Sequence, residues 1–485
     1  MGERFVKWNV KKIAIGSLVA LFIMLGFVQA YELTNGFILK NQSSEDLQNV
    51  PLGVDLAKVE QAYELIRTNY VEEVDSLSLI EGAIQGMLDT LEDPYSVYMD
   101  AETAQQFSQS LDSSFEGIGA EVTLMDGKLM IVAPFKNSPA EEAGLKPNDQ
   151  IIRIDGEDVT GLDLYDATLK IRGEKGSKVK LDIVRSGLTE PLTVQVVRDE
   201  IPNQTVHASV KKYDSKPVGY MEITSFSEET DEEFKTELSS LEAQGIQGLV
   251  IDVRGNPGGY LESVEKILYE LVTNEKPYVQ IEERTGEKKP YFSTLEKKKE
   301  YPVAVLIDEG SASASEILAG ALSEVEEYPL IGEKTFGKGT VQQAIPMGDG
   351  SNIKMTMFKW LTPDGNWIHT KGIQPTIEVK QPAFFYTHPL QVEKTLTKEM
   401  NNDQVKSAQE MLYSLGYGPG RTDGYYSNQT AIAVKAFQSK AGLTSTGNID
   451  SQTASALEKT IMKEIEKEEN DLQLQAALRI VGEAE

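Results

Sequence analysis

The hydrophobic rhythm of the chain changes several times, and each change marks a different kind of element. Residues 13–31 carry no charge and read IAIGSLVALFIMLGFV through their middle, directly after Arg4, Lys7, Lys11 and Lys12. A basic flank followed by an apolar run is the pattern of an export segment. Val28 and Ala30 meet the small-residue rule for cleavage after Ala30, while the run is near the lower limit for crossing a bilayer. Residues 1–31 therefore read as a cleaved signal peptide or a retained transmembrane anchor, and either places the bulk of the chain outside the cytoplasm. After a polar linker, Val59, Ala62, Tyr63 and Ile66, then Leu79, Ile80, Ile84, Met87 and Leu91, recur at helical spacing, which predicts a helical arm over residues 53–105.

The pattern then switches to short alternating strands with glycine punctuation: GIGAEV, KLMIVAP, DQIIRIDGEDV and SKVKLDIVR, a small β-rich module over residues 113–200. From residue 218 to 332 it alternates strand and helix: VGYMEI, a helix over 230–244, GLVIDV, a helix over 260–272, VAVLI, a helix over 313–326, then PLIGE. Repeated units of this kind predict an α/β core with a largely parallel sheet, here residues 201–395. Residues 403–460 form a further segment between this core and the tail. The tail, 461–485, reads as an amphipathic helix whose Ile461, Ile465, Leu472 and Ala476 share one face as candidate partner contacts.

Composition narrows the chemistry. The 485 residues hold 47 Lys plus Arg against 76 Asp plus Glu, a formal charge of −29, which argues against sequence-independent binding of nucleic acid. With 0 Cys there is no disulfide, no thiolate metal site and no cysteine nucleophile. The 3 histidines, His207, His369 and His388, are too dispersed for a zinc helix.

In α/β sheets, sites gather where strands end and helices begin. Two such junctions are unusual: Asp252-Val253-Arg254-Gly255-Asn256-Pro257-Gly258-Gly259, and Asp308-Glu309-Gly310-Ser311-Ala312-Ser313-Ala314-Ser315-Glu316. Taken alone, Ser313 with Glu316 three residues on is a capping box that does no more than start a helix. Likewise Lys338, in Gly337-Lys338-Gly339, is on its own a solvated lysine in a glycine turn. The first junction is a weak phosphate loop, because no G-K-[ST] follows it.

Resemblance to known families joins these pieces. Gly117-Ile118-Gly119-Ala120 followed by SPAEEAGLKPNDQIIRIDGEDV resembles a PDZ domain of the protease-associated type. This implies that the N–H groups of Gly117, Ile118, Gly119 and Ala120 hold a terminal carboxylate while a strand edge pairs with the peptide. S-A-S-A-S-E together with T-F-G-K-G-T-V-Q resembles the C-terminal processing (tail-specific) serine peptidases, including those of Bacillus, and the likeness runs over roughly residues 50–380. It implies a crotonase/Clp-like α/β protease core within an α/β multidomain chain, needing no metal or other cofactor. It further implies Ser313 as nucleophile, Lys338 as base and Gln342 as the residue orienting the amine, with oxyanion donors from Ala314 and from Gly258 or Gly259, the latter slightly favoured. A lysine acts as a base only when neutral, and burial lowers its pKa towards that state, with Phe336 expected to help exclude water. Ser311 and Ser315 read as first-turn residues. One departure is Thr376, where the family often has Asp. Arg172, in an R-G-x-x-G loop, is a candidate for coupling tail binding to catalysis.

Residues 403–460 resemble a peptidoglycan-binding domain of three helices, through D-G-Y-Y and F-Q-x-x-x-G-L, which implies wall attachment or an extension of a dimer surface. The expectation is an exported serine endopeptidase, a homodimer, that acts on protein tails in the cell envelope, in some relatives within sporulation signalling. The alternative is a non-catalytic PDZ and wall-binding scaffold.

Overall fold

The computed structural model describes residues 56–484, apart from 126, 136, 163, 186–189, 388, 389, 391 and 393. The expected export segment, residues 1–31, lies outside the described residues, among which no helix is long and apolar enough to cross a membrane. The described chain groups into two compact units that divide after Thr90.

The first unit holds two helices, Leu56–Asn69 and Ser76–Asp89, the second capped by Asp75, whose side chain accepts from the Ser78 N–H. The apolar stripe expected from the spacing is present, but Val59, Ile66, Ile80 and Met87 remain exposed.

The second unit begins with a short strand, Val97–Met99, and a helix, Ala101–Leu111. The chain enters and leaves the β-rich module through a two-stranded antiparallel ribbon of Ser114–Gly117 and Asp199–Pro202. Between these, Ala120–Met125 is an edge strand of a sheet that continues through Lys128–Pro134, Gln150–Ile154, Lys178–Val184 and Leu192–Val197. Alternating residues such as Val179, Leu181 and Ile183 fill its core.

The α/β core is a six-stranded sheet in the order Val206–Tyr213, Lys216–Ile223, Leu249–Asp252, Val303–Ile307, Leu330–Gly332 and Ile377–Glu378. The first pair is antiparallel and the rest parallel. Central strands are buried on both faces, which is why VAVLI is apolar at every position. On one face Ile251, Val305 and Ile307 pack with the helices Thr230–Ala243, Leu261–Leu271 and Ala314–Glu324. A second sheet joins Val97–Met99, Asn352–Leu361, Pro277–Glu282 and Lys288–Phe292, with Thr340–Pro346 also paired to Asn352–Leu361.

The other face of the core sheet corrects the expectation for the tail. Ile461 is buried, and Ile465 packs, in the core of the three-helix module formed by Asp403–Ser414, Asn428–Lys440 and Ser451–Ile465. A turn then resets the phase, and a separate helix, Leu472–Glu483, buries Leu474, Ala477, Leu478 and Val481 against Val218, Val250, Ala304, Leu306 and Ile331. Leu472 stays exposed. Asp471 caps this helix by accepting from the Leu474 N–H at 2.9 Å and pairs with Arg254 at 2.8 Å. The tail thus supplies the second layer of its own core.

Replacing the buried Leu478 by alanine should cost about 2–5 kcal/mol, the range for a truncated core leucine. Chemical denaturation followed by circular dichroism measures this, and an unchanged midpoint would mean that the helix adds nothing to the core.

Candidate active site

The two glycine-rich junctions meet at the ends of adjacent parallel strands. Asp308 ties them: its Oδ1 accepts from Gly255 N–H at 2.8 Å, Gly310 N–H at 2.9 Å and Ser311 N–H at 3.1 Å. The hydroxyls of Ser311 and Ser315 donate across the gap to the Val253 and Asn256 carbonyls at 2.7 and 2.9 Å. These two serines are struts between loops. The buried Asn256 donates to the Ile223 carbonyl at 2.7 Å and accepts from Gly258 N–H at 2.8 Å, so the Gly258 donor is already used.

Ser313 stands immediately before the helix Ala314–Glu324 with φ 55° and ψ −112°. A positive φ is unusual for a residue with a side chain and is kept only where the surroundings enforce it. Gly258 closes around this position, since a Cβ there would lie 2.8 Å from Ser313 Cβ. At Gly259 a Cβ would lie 2.1 Å from the Phe226 carbonyl oxygen, with φ at 148°. Both positions require glycine.

The capping box of Ser313 and Glu316 is formed in position, but its firm half is the carboxylate; the serine hydroxyl makes no cap hydrogen bond of normal geometry. The fully buried Glu316 does more than cap. One oxygen accepts from Ser313 N–H at 2.9 Å and Lys338 N–H at 2.8 Å. The other accepts from the Thr335 hydroxyl at 2.6 Å and Gly337 N–H at 2.8 Å. A single side chain therefore fixes the backbone at Ser313 relative to the backbone at Lys338.

Two indoles hold the lysine loop from the opposite side: Trp360 Nε1 donates to the Lys338 carbonyl and Trp367 Nε1 to the Gly339 carbonyl, each at 2.8 Å. The Lys338 amine lies 5.1 Å from the centre of the Tyr95 ring. Burial pushes that amine below the ordinary lysine value and the charge of Lys354 pushes the same way, while Asp93 and Glu316 oppose in part. Gln342 donates both amide hydrogens, to the Thr340 and Thr356 hydroxyls at 3.0 Å each. Ser313, Ala314, Gly258, Gly259, Lys338 and Gln342 all line one cavity of about 610 Å³. Among the described residues no group of three or more His, Asp or Glu is placed to hold a metal ion.

Comparison with known proteins gives this arrangement a family. The description "Peptidase family S41" matches residues 217–379, "PDZ domain" residues 117–196, "Activating protease CtpB N-terminal domain" residues 13–103, and a peptidoglycan binding domain residues 401–457. The carboxy-terminal processing protease CtpB of Bacillus subtilis is 60% identical over 422 residues, covering 87% of this chain and 88% of that protein. The chain belongs to peptidase family S41. Its relative CtpA, also of Bacillus subtilis, is 42% identical over 421 residues, covering 87% of this chain and 89% of that one. Among solved structures, a photosystem II D1 C-terminal processing protease is 25% identical and covers 68% of this chain and 94% of its own, with a TM-score of 0.42. This S41 peptidase is thus a serine peptidase of the C-terminal processing type, with PDZ and peptidoglycan-binding modules.

Other sequence candidates of the S41 chain lie elsewhere. Gly117, Ile118, Gly119 and Ala120 sit at the head of the PDZ edge strand; Ile118 is buried, and its carbonyl accepts from Ala140 N–H at 2.8 Å. Arg172 lines a separate cavity of about 710 Å³ with Gln109, Phe115 and Glu228. Its guanidinium lies 4.8 Å from the centre of the Phe115 ring and donates to Gln109 at 3.4 Å. Phe336 was expected to shield Lys338 but is 55% exposed, and it is the ring of Tyr95 that faces the amine. Thr376 uses its hydroxyl to accept from Leu330 N–H at 2.8 Å and donate to the Leu330 carbonyl at 2.9 Å, pinning an adjacent strand. Sequence reasoning saw Glu316 only as a cap and missed Tyr95, Asp93 and Lys354. E-D-P-Y-S-V-Y, a turn signal ahead of a short strand, was the available clue to the first two.

Glu316→Gln would turn an amide hydrogen towards N–H donors, leaving buried donors unpaired at about 1–3 kcal/mol. Peptide cleavage should fall at least about tenfold, because the loops that this carboxylate aligns lose their register. Wild-type turnover in the purified variant would show that the alignment does not depend on it.

Proposed function

We propose that Ser313 is the nucleophile of this peptidase and Lys338 its general base. The observation that carries the reading is that Ser313 and the depressed, half-buried Lys338 amine share one cavity with Gly259 of the glycine turn and Ala314 at the helix start. A neutral Lys338 amine takes the Ser313 hydroxyl proton as the oxygen attacks the peptide carbonyl. The developing oxyanion receives the N–H groups of Ala314 and Gly259, since Gly258 N–H is engaged by Asn256. The lysine then returns the proton to the leaving amine, and water hydrolyses the acyl-enzyme. Gln342, with both amide hydrogens engaged, has its oxygen left to accept from the amine and orient it. Family membership favours this over the non-catalytic scaffold.

The substrates we propose are protein C-terminal tails taken by the PDZ module. Ala120–Met125 is an edge strand, as strand addition needs, with the glycine loop at its head. Arg172 then stands where the PDZ module meets the helix Ala101–Leu111, whose Phe107 and Leu111 line the Ser313 cavity, so it is suited to couple the two. We place the enzyme in the cell envelope, exported through residues 1–31 and held near peptidoglycan by the C-terminal module, and read the exposed apolar stripe of the arm as a homodimer surface. The kinship with CtpB, whose N-terminal domain is described as that of an activating protease, favours a role in activating another protein by cleavage, and we propose sporulation signalling as its setting.

Ser313→Ala and Lys338→Ala should each abolish cleavage of an unstructured protein while leaving circular dichroism unchanged, and Lys338→Arg should fail too, because guanidinium stays protonated. In the wild type, kcat/KM should rise with pH as Lys338 loses its proton, with a midpoint below the ordinary lysine value. Turnover by either alanine variant would remove the Ser and Lys assignment.

Amidating the C-terminus of an apolar test peptide removes its charge, so binding should weaken by about tenfold or more. Calorimetry on acid and amide forms decides this. Arg172→Ala should keep the peptide affinity but lose most of the turnover; unchanged turnover would remove the coupling role.

A further inference from the structure

The segment Asp93-Pro94-Tyr95-Ser96 precedes the short strand Val97–Met99, which pairs with Asn352–Leu361 in the register Val97 opposite Lys354. This pairing brings Asp93 beside Thr356, and Thr356 is opposite Gln342 in the neighbouring hairpin. The result is a row of neighbouring polar groups whose hydrogen-bond polarity is set from one end. Asp93 accepts from the Ser96 hydroxyl at 2.6 Å and from the Tyr95 N–H at 3.1 Å, and the Thr356 hydroxyl faces the same carboxylate. Ser96 in turn accepts the Thr356 N–H at 3.1 Å.

A carboxylate can only accept, so the one hydroxyl hydrogen of Thr356 points at Asp93. The lone pairs of Thr356 then face Gln342, which must present its NH₂ group, as it does at 3.0 Å. With Thr340 taking the second hydrogen, the amide oxygen is left for the Lys338 side. We infer that Asp93 is a positioning residue that acts through Thr356 to hold Gln342 with its amide oxygen towards Lys338. This rests on the reading of Lys338 as base and Gln342 as its orienting partner.

The same geometry sets a test in which charge and polarity separate. The groups facing the Lys338 amine are Asp93, the Tyr95 ring, Glu316 from the helix Ala314–Glu324 and Lys354 from the strand Asn352–Leu361; His369 faces Asp93. Burial pushes the Asp93 carboxyl up, but its hydrogen bonds from Ser96, Thr356 and Tyr95 and the nearby His369 outweigh this and hold it below the ordinary range. Asp93 is therefore a negative charge that favours the ammonium form of Lys338.

Steady-state cleavage of a fluorogenic peptide with a free apolar C-terminus, by the full chain across pH, is the experiment. Asp93→Asn lets the amide donate to Thr356, so Thr356 can turn its hydrogen to Gln342 and the amide reverses. The plateau kcat should fall about three- to tenfold, the scale of one hydrogen bond, with KM unchanged. Because a charge favouring the ammonium is gone, the acidic limb should move to lower pH. Thr356→Val should lower the plateau similarly without moving the limb, and Thr356→Ser should restore it. In a Gln342→Ala background, Asp93→Asn should cost nothing further in plateau kcat.

A limb shift with the plateau retained, or a loss of full size in the Gln342→Ala background, overturns the inference. If Asp93→Asn does not fold, equal activity in Thr356→Val and Thr356→Ser overturns it instead. Lys338→Ala, run alongside, separates this from the underlying assignment: turnover there removes the base itself, whereas an inert Lys338→Ala with an unaffected Asp93→Asn removes only the relay.

Discussion

The buried carboxylate of Glu316 is the constraint on which the site depends. An acidic group with no exposed surface is costly unless its lone pairs are filled, and here four donors fill them. Those donors come from Ser313 and from the lysine loop, segments that belong to different strand ends. Neither loop can shift without stripping a hydrogen bond from a buried charge. The positive φ of Ser313 is kept by the same means, since its N–H is aimed at Glu316 while Gly258 closes against its side chain.

Around this clamp, the core sheet is closed on both faces by elements of very different origin. Three helices from the α/β repeats cover one face, and the last helix of the chain returns across the other. That helix is anchored at its start by Asp471 against Arg254, which also pairs with Asp252 at 2.6 Å. Arg254 immediately precedes the turn that ends in Gly258 and Gly259, so the packing of the C-terminal helix bears directly on the loop lining the cavity. Stability of the core and geometry of the site are joined at this residue.

The helix Ala101–Leu111 links two further parts. Phe107 and Leu111 face the cavity of Ser313, whereas Gln105 and Gln109 face the cavity of Arg172. A helix places such positions on different sides of one rod, so the cavity of Ser313 and the cavity of Arg172 share this helix as a wall.

Local pattern alone determined the order of elements, because the periods of strand and helix and their glycine punctuation are written in neighbouring residues. The PDZ strands and the α/β repeats were legible for that reason, while the three C-terminal helices, and the spacing from Ser313 to Lys338 and Gln342, were legible through family resemblance. What the sequence could not decide was which distant groups become neighbours. Phe336 looked like a shield but faces solvent, while Tyr95, more than two hundred residues before Lys338, lies against its amine. Glu316 looked like a helix cap, which it is, but its other bonds depend on a loop brought back by strand pairing. The tail looked like a single amphipathic helix, but its two halves pack into different cores because the turn before Leu472 resets the phase. Only tertiary structure sets these outcomes, since each depends on hydrogen-bond donors and apolar surface delivered by remote strands, and no local periodicity encodes where those arrive.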